Sequence, residues 1–336
     1  MDRLLVYFIQ RLCFANLLGL NISSAFNSAV TIYILIPFLI IPQLLLAGVV
    51  VKFDKLNPHI AVQGGVPLTG EIMASRWAFE ALAVNQFNAN AYESQFVKEH
   101  RRMSIASYKR DYWIQKMLDN LSRLEQQIKQ NKAPEPRVLN LISAELNKER
   151  RFIQQAFNQN YTQPAQEWEI LCKQPQTVTL SNIDAVRTYL ENQVKSHYIT
   201  LDNQAREREN QITLGLIKNM GNEGLVSFKE AYENEALTQL VKNTHDISGE
   251  RCLEKDGRLI QQIDPVFADP DQSHWGRAHF FASRKNIFGI WIPTYWFNAG
   301  VIWSMTGLLM VCLYFDVFAR ILKSFSRLGP PRWKRA

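Results

Sequence analysis

Six histidines (His59, His100, His197, His245, His274 and His279) and four cysteines (Cys13, Cys172, Cys252 and Cys312) are the side chains best suited to metal or nucleophilic chemistry. Their spacing does not support it. There is no H-E-x-x-H pair and no other close ligand spacing that would place two imidazoles on one face of a helix. Asp269-Pro-Asp271 stands near His274 and His279, a set that could hold a cation. A proline turn ahead of an interfacial helix explains it more simply. No G-x-x-x-x-G-K-[ST] run is present to cradle nucleotide phosphates. The expectation is a chain with no catalytic residues, no metal and no resident cofactor, hence not an enzyme in itself. Cys172 and Cys252 are the two cysteines outside the apolar segments. In an oxidising compartment they could pair, and closing so long a loop would stabilise the fold by up to about 4 kcal/mol in the chain-entropy account. Two independent buried thiols are the alternative.

The segments that would hold any such residues in place are apolar. Across 336 residues the composition is 47% hydrophobic and 21% charged, which excludes a mostly disordered chain. The mean hydropathy of −0.18 conceals uneven segments. Ala29 to Val51 (AVTIYILIPFLIIPQLLLAGVVV) carries no charge and as a helix would reach about 34 Å, enough for a hydrocarbon core of about 30 Å. Phe297 to Phe315 is also uncharged and long enough, and Leu4 to Leu20 is a third candidate despite Gln10, Arg11 and Asn16. The expected class is an all-α membrane protein with two to three transmembrane helices and a large helical domain outside the cytoplasm.

Charge sets the orientation. Arg320 to Ala336 contains six basic residues and no acid, and short basic flanks stay cytoplasmic. The expected location is the inner (plasma) membrane, multi-pass, with a cytoplasmic C-terminus. The formal charge of +7 then reports membrane topology, and no nucleic-acid partner is expected. The segments are 1–51 with two membrane helices (4–20 and 29–51), 52–91 as an outer re-entrant or interfacial segment, and 92–285 as the outer helical domain. Residues 286–319 form an interfacial segment and the last span, and 320–336 the basic tail. This order places Met1 outside, which suggests the C-terminal portion of a longer protein.

Within the outer domain, Met117, Leu118, Leu121, Leu124 and Ile128 recur at helical spacing in a long helix over 92–131. Pro134 and Pro136 stop it. Leu141, Ala144, Leu146, Phe152, Ile153 and Phe157 mark a second helix, Ser181 with Asp184 an N-cap for a third, and 222–242 a fourth.

Two stretches go beyond a generic membrane protein. Leu44 to Pro58 and Val66 to Phe87 contain Ser75, Arg76, Trp77, Ala78, Phe79, Glu80, Ala81, Leu82, Asn85, Gln86 and Phe87. This pattern resembles the end of the fifth span and the re-entrant segment of ABC exporter permeases of the white/pleiotropic-drug-resistance type. The order departs from that pattern in that Ser75 directly precedes Arg76 and the usual proline is absent. Arg277 to Arg320 resembles the last span of related large bacterial permeases, with Arg284, Lys285, Trp291, Tyr295 and Trp296 as a basic and aromatic anchor. The resemblance covers about 1–90 and 275–325. Ile247-Ser-Gly-Glu-Arg251 superficially resembles the cassette signature motif and, without a phosphate loop, is read as chance.

The resemblance implies a permease that moves its substrate by ATP hydrolysed elsewhere. ATP and magnesium would sit on a partner cassette, in an upstream segment or a separate subunit. A second permease half or a homodimer, the lipid bilayer and an envelope partner complete the implied set. Val49 and Val50 would form a hydrophobic plug, or else simply face lipid. Gln43, Arg11 and Asn16 would line the substrate path, with Arg11 equally able to reach outward to the interface. Ala47 and Gly48 would allow close helix approach, and Arg76 and Glu80 would stay at the membrane rim. The alternative function is a membrane-anchored sensor, or an envelope scaffold, built on the outer helical domain.

Overall fold

The computed structural model describes residues 2–26, 28–53, 56, 65–154, 163–171, 177–244, 250–270 and 276–327. The chain divides into two compact units, one of residues 1–86 and 269–336, the other of residues 87–268. In chain order the helices are α1 (Asp2–Ala25), α2 (Ala29–Leu45), α3 (Leu68–Glu71), α4 (Ala74–Ala89), α5 (Glu93–Tyr108), α6 (Ile114–Lys129), α7 (Pro136–Gln154), α8 (Gln163–Leu171), α9 (Leu180–Thr188), α10 (Lys195–Tyr232), α11 (Glu235–Val241), α12 (Thr294–Tyr314) and α13 (Val317–Arg327). Two separate antiparallel hairpins interrupt them, β1 (Cys252–Lys255) with β2 (Arg258–Gln261), and β3 (Arg284–Ile287) with β4 (Ile290–Pro293). The chain is therefore mostly helical but not all-α. The first hairpin pairs Lys255 with Arg258 across Asp256-Gly257, both at positive φ, the two-residue turn that matches strand twist.

In the first unit, two helices are long and apolar enough to cross a membrane, Leu4–Ala25 and Thr294–Tyr314. Their apolar side chains are largely uncovered: Leu5, Phe8, Leu308 and Met310 are all more than half exposed. That is the reverse of a soluble core helix. The small core of this unit joins Tyr7 of α1, Trp77, Ala78 and Ala81 of α4, and Tyr295, Ala299 and Ile302 of α12.

The expected span from Ala29 to Val51 is shorter than its apolar run. Helix α2 stops at Leu45, after 17 residues, or about 26 Å. Gly48 breaks the path with φ 78°, and a Cβ there would lie 2.8 Å from the rings of Phe53 and Phe280. A residue without a side chain is required on both counts. The close approach expected at Gly48 thus exists, but to aromatic rings. Pro37 and Pro42 both lie within α2, which buries none of its residues.

The second unit follows the amphipathic pattern of its sequence. Met117, Leu121 and Leu124 of α6 face Leu139, Leu141, Ile142 and Leu146 of α7, with Ile183, Val186, Leu190 and Val194 closing the core. The N-cap of α9 is Thr179 in a capping box with Asn182, two residues ahead of the expected Ser181 and Asp184. Helix α10 runs through position 220 and resumes after Gly221, whose φ of 75° breaks the helical path. Two π-helical stretches, Lys109–Trp113 and Tyr189–Val194, continue α5 into α6 and α9 into α10.

Candidate functional site

The first unit buries a charge cluster at the N-terminal end of α12. Glu80 of α4 accepts from Lys285 Nζ at 2.7 Å and from Asn298 Nδ2 at 2.8 Å, both on the same oxygen. Arg76, one turn earlier on α4, approaches that oxygen at 3.6 Å and donates to Glu71 at 3.3 Å. Asn298 also donates to the Trp77 carbonyl at 2.9 Å, and the Trp77 indole to the Glu71 carbonyl at 2.7 Å. Arg76, Glu80, Lys285 and Asn298 are each 0% exposed. Both cations lie over the Trp77 ring, Arg76 at 4.0 Å and Lys285 at 4.4 Å, which offsets part of their lost hydration.

Two cations share the Glu80 carboxylate, and Glu71 supplies Arg76 with a second, partly exposed one. Burial alone would raise Glu80, but Arg76, Lys285 and the bond from Asn298 outweigh it and hold the carboxyl below its ordinary range. Burial pulls the Lys285 ammonium down to about 8, with Arg76 adding to that pull and Glu80 opposing it. The Glu80 carboxylate is the charge this site holds firmly.

Below this cluster α1 and α12 are stitched together. The Tyr7 hydroxyl donates to the Tyr295 carbonyl at 2.5 Å, Gln10 to Ala299 at 2.6 Å and Asn21 to Leu309 at 2.9 Å. Both partners' numbers rise together, so the helices run parallel. Tyr7, Gln10 and Asn21 share one face of α1 and are almost wholly buried.

The residues expected to line a path are distributed differently. Arg11 and Asn16 lie on the exposed side of α1, so within this chain neither faces a protein interior. Gln43 is half-buried and tied to the motif: its carbonyl accepts from the Ser75 hydroxyl at 2.5 Å and its side chain from the Ser75 amide at 3.3 Å. Val49 and Val50 follow α2 in a turn and are 45% and 67% exposed. Phe79 is half-buried beside Phe280 and Phe281, and Asn85 is half-buried further along α4. Phe87 falls in the other unit, buried against Phe267 at 5.7 Å. Arg76 and Glu80 are not rim charges, and Lys285 is not a membrane anchor, because each finds its counter-charge inside. Arg284 lies over Trp291 at 4.6 Å and pairs with Asp269 at 2.8 Å. Tyr7 and Asn21 carry no role in the sequence reading, and Gln10 enters it only as a polar residue within a candidate span. Their signal was polar side chains recurring on one stripe of an apolar helix.

The second unit holds a separate polar network. Lys109 donates to Glu149 at 2.6 Å and lies 3.9 Å from the Trp113 ring, while the Tyr198 hydroxyl donates to the same Glu149. Trp113 donates to Glu145 at 2.7 Å, and Glu145 also accepts the Leu259 amide at 3.1 Å. One carboxylate thus ties α7 to the π-helical stretch and to the first hairpin. Such stretches recur at functional sites and offset the side chains that follow them. His100 lies between Glu93 at 3.4 Å and Glu209 at 3.0 Å. Burial would lower it, but the two carboxylates prevail and its pKa is raised.

Cys252 carries a free, buried thiol 3.3 Å from the Tyr108 hydroxyl, and burial pushes that thiol up. Cys172, the other half of the expected pair, lies outside the described residues, as do Asp271, His274 and His245. Among the described residues no group of three metal-ligating side chains converges. Comparison with protein-family models, characterised proteins and solved structures finds no match to this chain.

Proposed function

We propose that this chain is the permease part of an ATP-driven exporter of the ABC type, moving its substrate across the inner membrane. ATP and magnesium would act on a cassette carried by a partner subunit or another segment of the same protein. The observation that supports this reading is the joint between α4 and α12. The residues that carry the resemblance, Ser75, Arg76, Trp77 and Glu80, are the ones that fix the segment after α2 to the head of a candidate span. Parallel α1 and α12, with α2 between them in sequence, fit a multi-pass arrangement in which the first and last spans cross in the same sense.

In this reading α4 is the re-entrant segment, braced by its own buried charges. The second unit is the outer helical domain, available to an envelope partner. Helix α2, none of whose residues is fully buried within the chain, offers its exposed surface to a second permease half. Val49 and Val50 lie at its end, where a plug between two halves would form. Cassette closure would move the halves, and the rigid α4–α12 joint would carry that motion to the outer side.

The test is purification of the full chain from its native membranes in mild detergent. The expected result is co-purification of an ATP-binding cassette polypeptide, or cassette sequence within the same protein, with vanadate-sensitive ATPase activity. A stable preparation with neither cassette nor ATPase activity would overturn the proposal.

A further inference from the structure

Helix α13 begins directly beyond the last candidate span. The chain leaves α12 through Phe315 and Asp316, the latter at φ 49°, a left-handed residue that ends one helix and sets a new axis for the next. The Arg320 amide then donates to the Asp316 carbonyl at 3.0 Å. The eleven residues that follow, VFARILKSFSR, divide cleanly. Val317, Phe318, Ile321 and Leu322 recur at spacings of three and four on one face, and Phe325 continues that spacing. Arg320 and Lys323 fall on the opposite face.

The apolar face is open. Phe318 is 37%, Ile321 48% and Leu322 36% exposed, although α13 packs against α1 and α12. A helix with one oily and one basic face suits the boundary between hydrocarbon and water. Two observations favour a bilayer over a protein as what covers it. The helix is tethered at the end of α12, where the exposed apolar surface of the span gives way. Its basic face, with three further cations in the sequence to Ala336 and no acid after Asp316, is complementary to anionic headgroups.

We propose that α13 lies in the headgroup layer and binds anionic phospholipid, with Phe318, Ile321 and Leu322 immersed and Arg320 and Lys323 facing the headgroups. It rests on α12 being a span, part of the proposed function, and the test separates the two.

The full chain, with its native cysteines replaced by serine, is spin-labelled singly at Leu308, Leu322 or Lys323. Each is placed in nanodiscs of phosphatidylcholine alone or mixed with phosphatidylglycerol. Collision with oxygen reports lipid, and collision with a neutral nickel chelate reports water. In mixed discs, labels at 308 and 322 should favour oxygen and the label at 323 the chelate. The 322 label should shift several-fold toward the chelate in phosphatidylcholine-only discs. The same shift should follow in R320Q/K323Q, or in 1 M salt, where screening shortens to about 3 Å.

A label at 308 that prefers the chelate refutes the span itself. A label at 308 in lipid, with 322 and 323 equally wet in every disc, refutes the proposal alone. Immersion of 322 irrespective of lipid charge removes the anionic recognition. Protection of 322 from both probes means a protein covers the face and overturns it.

Discussion

Removing Glu80 should be far more damaging than removing either charge that faces it. Lys285 lies 2.7 Å and Arg76 3.6 Å from one Glu80 oxygen. At an effective dielectric of about 20, those separations correspond to attractions of about 6 and 5 kcal/mol. Desolvation cancels much of this, and measured losses on breaking buried pairs are about 3–5 kcal/mol. Glu80→Gln keeps the side-chain volume but leaves Lys285 buried without its carboxylate and Arg76 with Glu71 alone, so the upper part of that range is expected. Lys285→Met keeps Arg76 paired with both Glu80 and Glu71 and leaves no buried cation without a partner. It should cost only the charge-assisted hydrogen bond, about 2 kcal/mol. The double variant should recover part of the Glu80→Gln loss, because the orphaned ammonium is gone.

The assay is SDS-induced unfolding of the full chain in mixed micelles, followed by tryptophan fluorescence, to which Trp77 beneath both cations contributes. The pH dependence supplies a second readout. Lys285 in the fold, at about 8, lies below the unfolded value of about 10.4. Between those values the unfolded state binds more protons, so the Lys285 contribution makes stability rise with pH, and Lys285→Met should lose that rise. A Lys285→Met loss equal to or larger than that of Glu80→Gln would refute the reasoning.

Three other outcomes follow from named contacts. Gly48→Val combines a left-handed backbone with a Cβ 2.8 Å from Phe53 and Phe280. It should destabilise the first unit by about 2–3 kcal/mol in the same SDS assay, whereas Gly19→Ala, with open space around it, should not. The raised pKa of His100 means its stabilisation is complete below the unfolded value of about 6.5 and lost as pH rises through the higher folded value. Hydrogen exchange in α5 and α10, corrected for intrinsic rates, should speed up across that window, and His100→Gln should flatten the response. Trp113→Phe leaves Glu145 with the Leu259 amide alone, and should cost about 1–3 kcal/mol with faster exchange in the first hairpin. Unchanged exchange there would mean Glu145 does not hold it.

Where the sequence was readable, the cause was periodicity. The apolar stripe of α6 and α7, the Pro134–Pro136 stop and the two helices long and apolar enough to cross a membrane follow from spacing and composition. The hairpins turn on Asp256-Gly257 and Phe288-Gly289, all at positive φ, but flanks such as CLEK, RLIQ and RKNI are too short and too polar to stand out as strands. The length of α2 was not readable, because Gly48 ends the straight path by a tertiary contact with Phe280, far away in sequence. The charge cluster was hidden for the same reason. Arg76 and Glu80 on a short helix suggest a solvated rim until Lys285 and Asn298, over 200 residues on, arrive from another element. Polar residues on α1 were visible as polar, but which of them face a partner depends on α12: Gln10 is buried and its neighbour Arg11 is not.

The proposed exporter function requires that ATP hydrolysis change the conformation of this chain. The direct measurement is maleimide labelling of Val49→Cys, in a background without native cysteines, in native membranes with and without ATP and vanadate. Vanadate trapping should change the labelling rate several-fold, while an exposed control cysteine in α10 at Leu214 stays constant. Equal rates at position 49 in all nucleotide states, in membranes where the chain is folded, would contradict it.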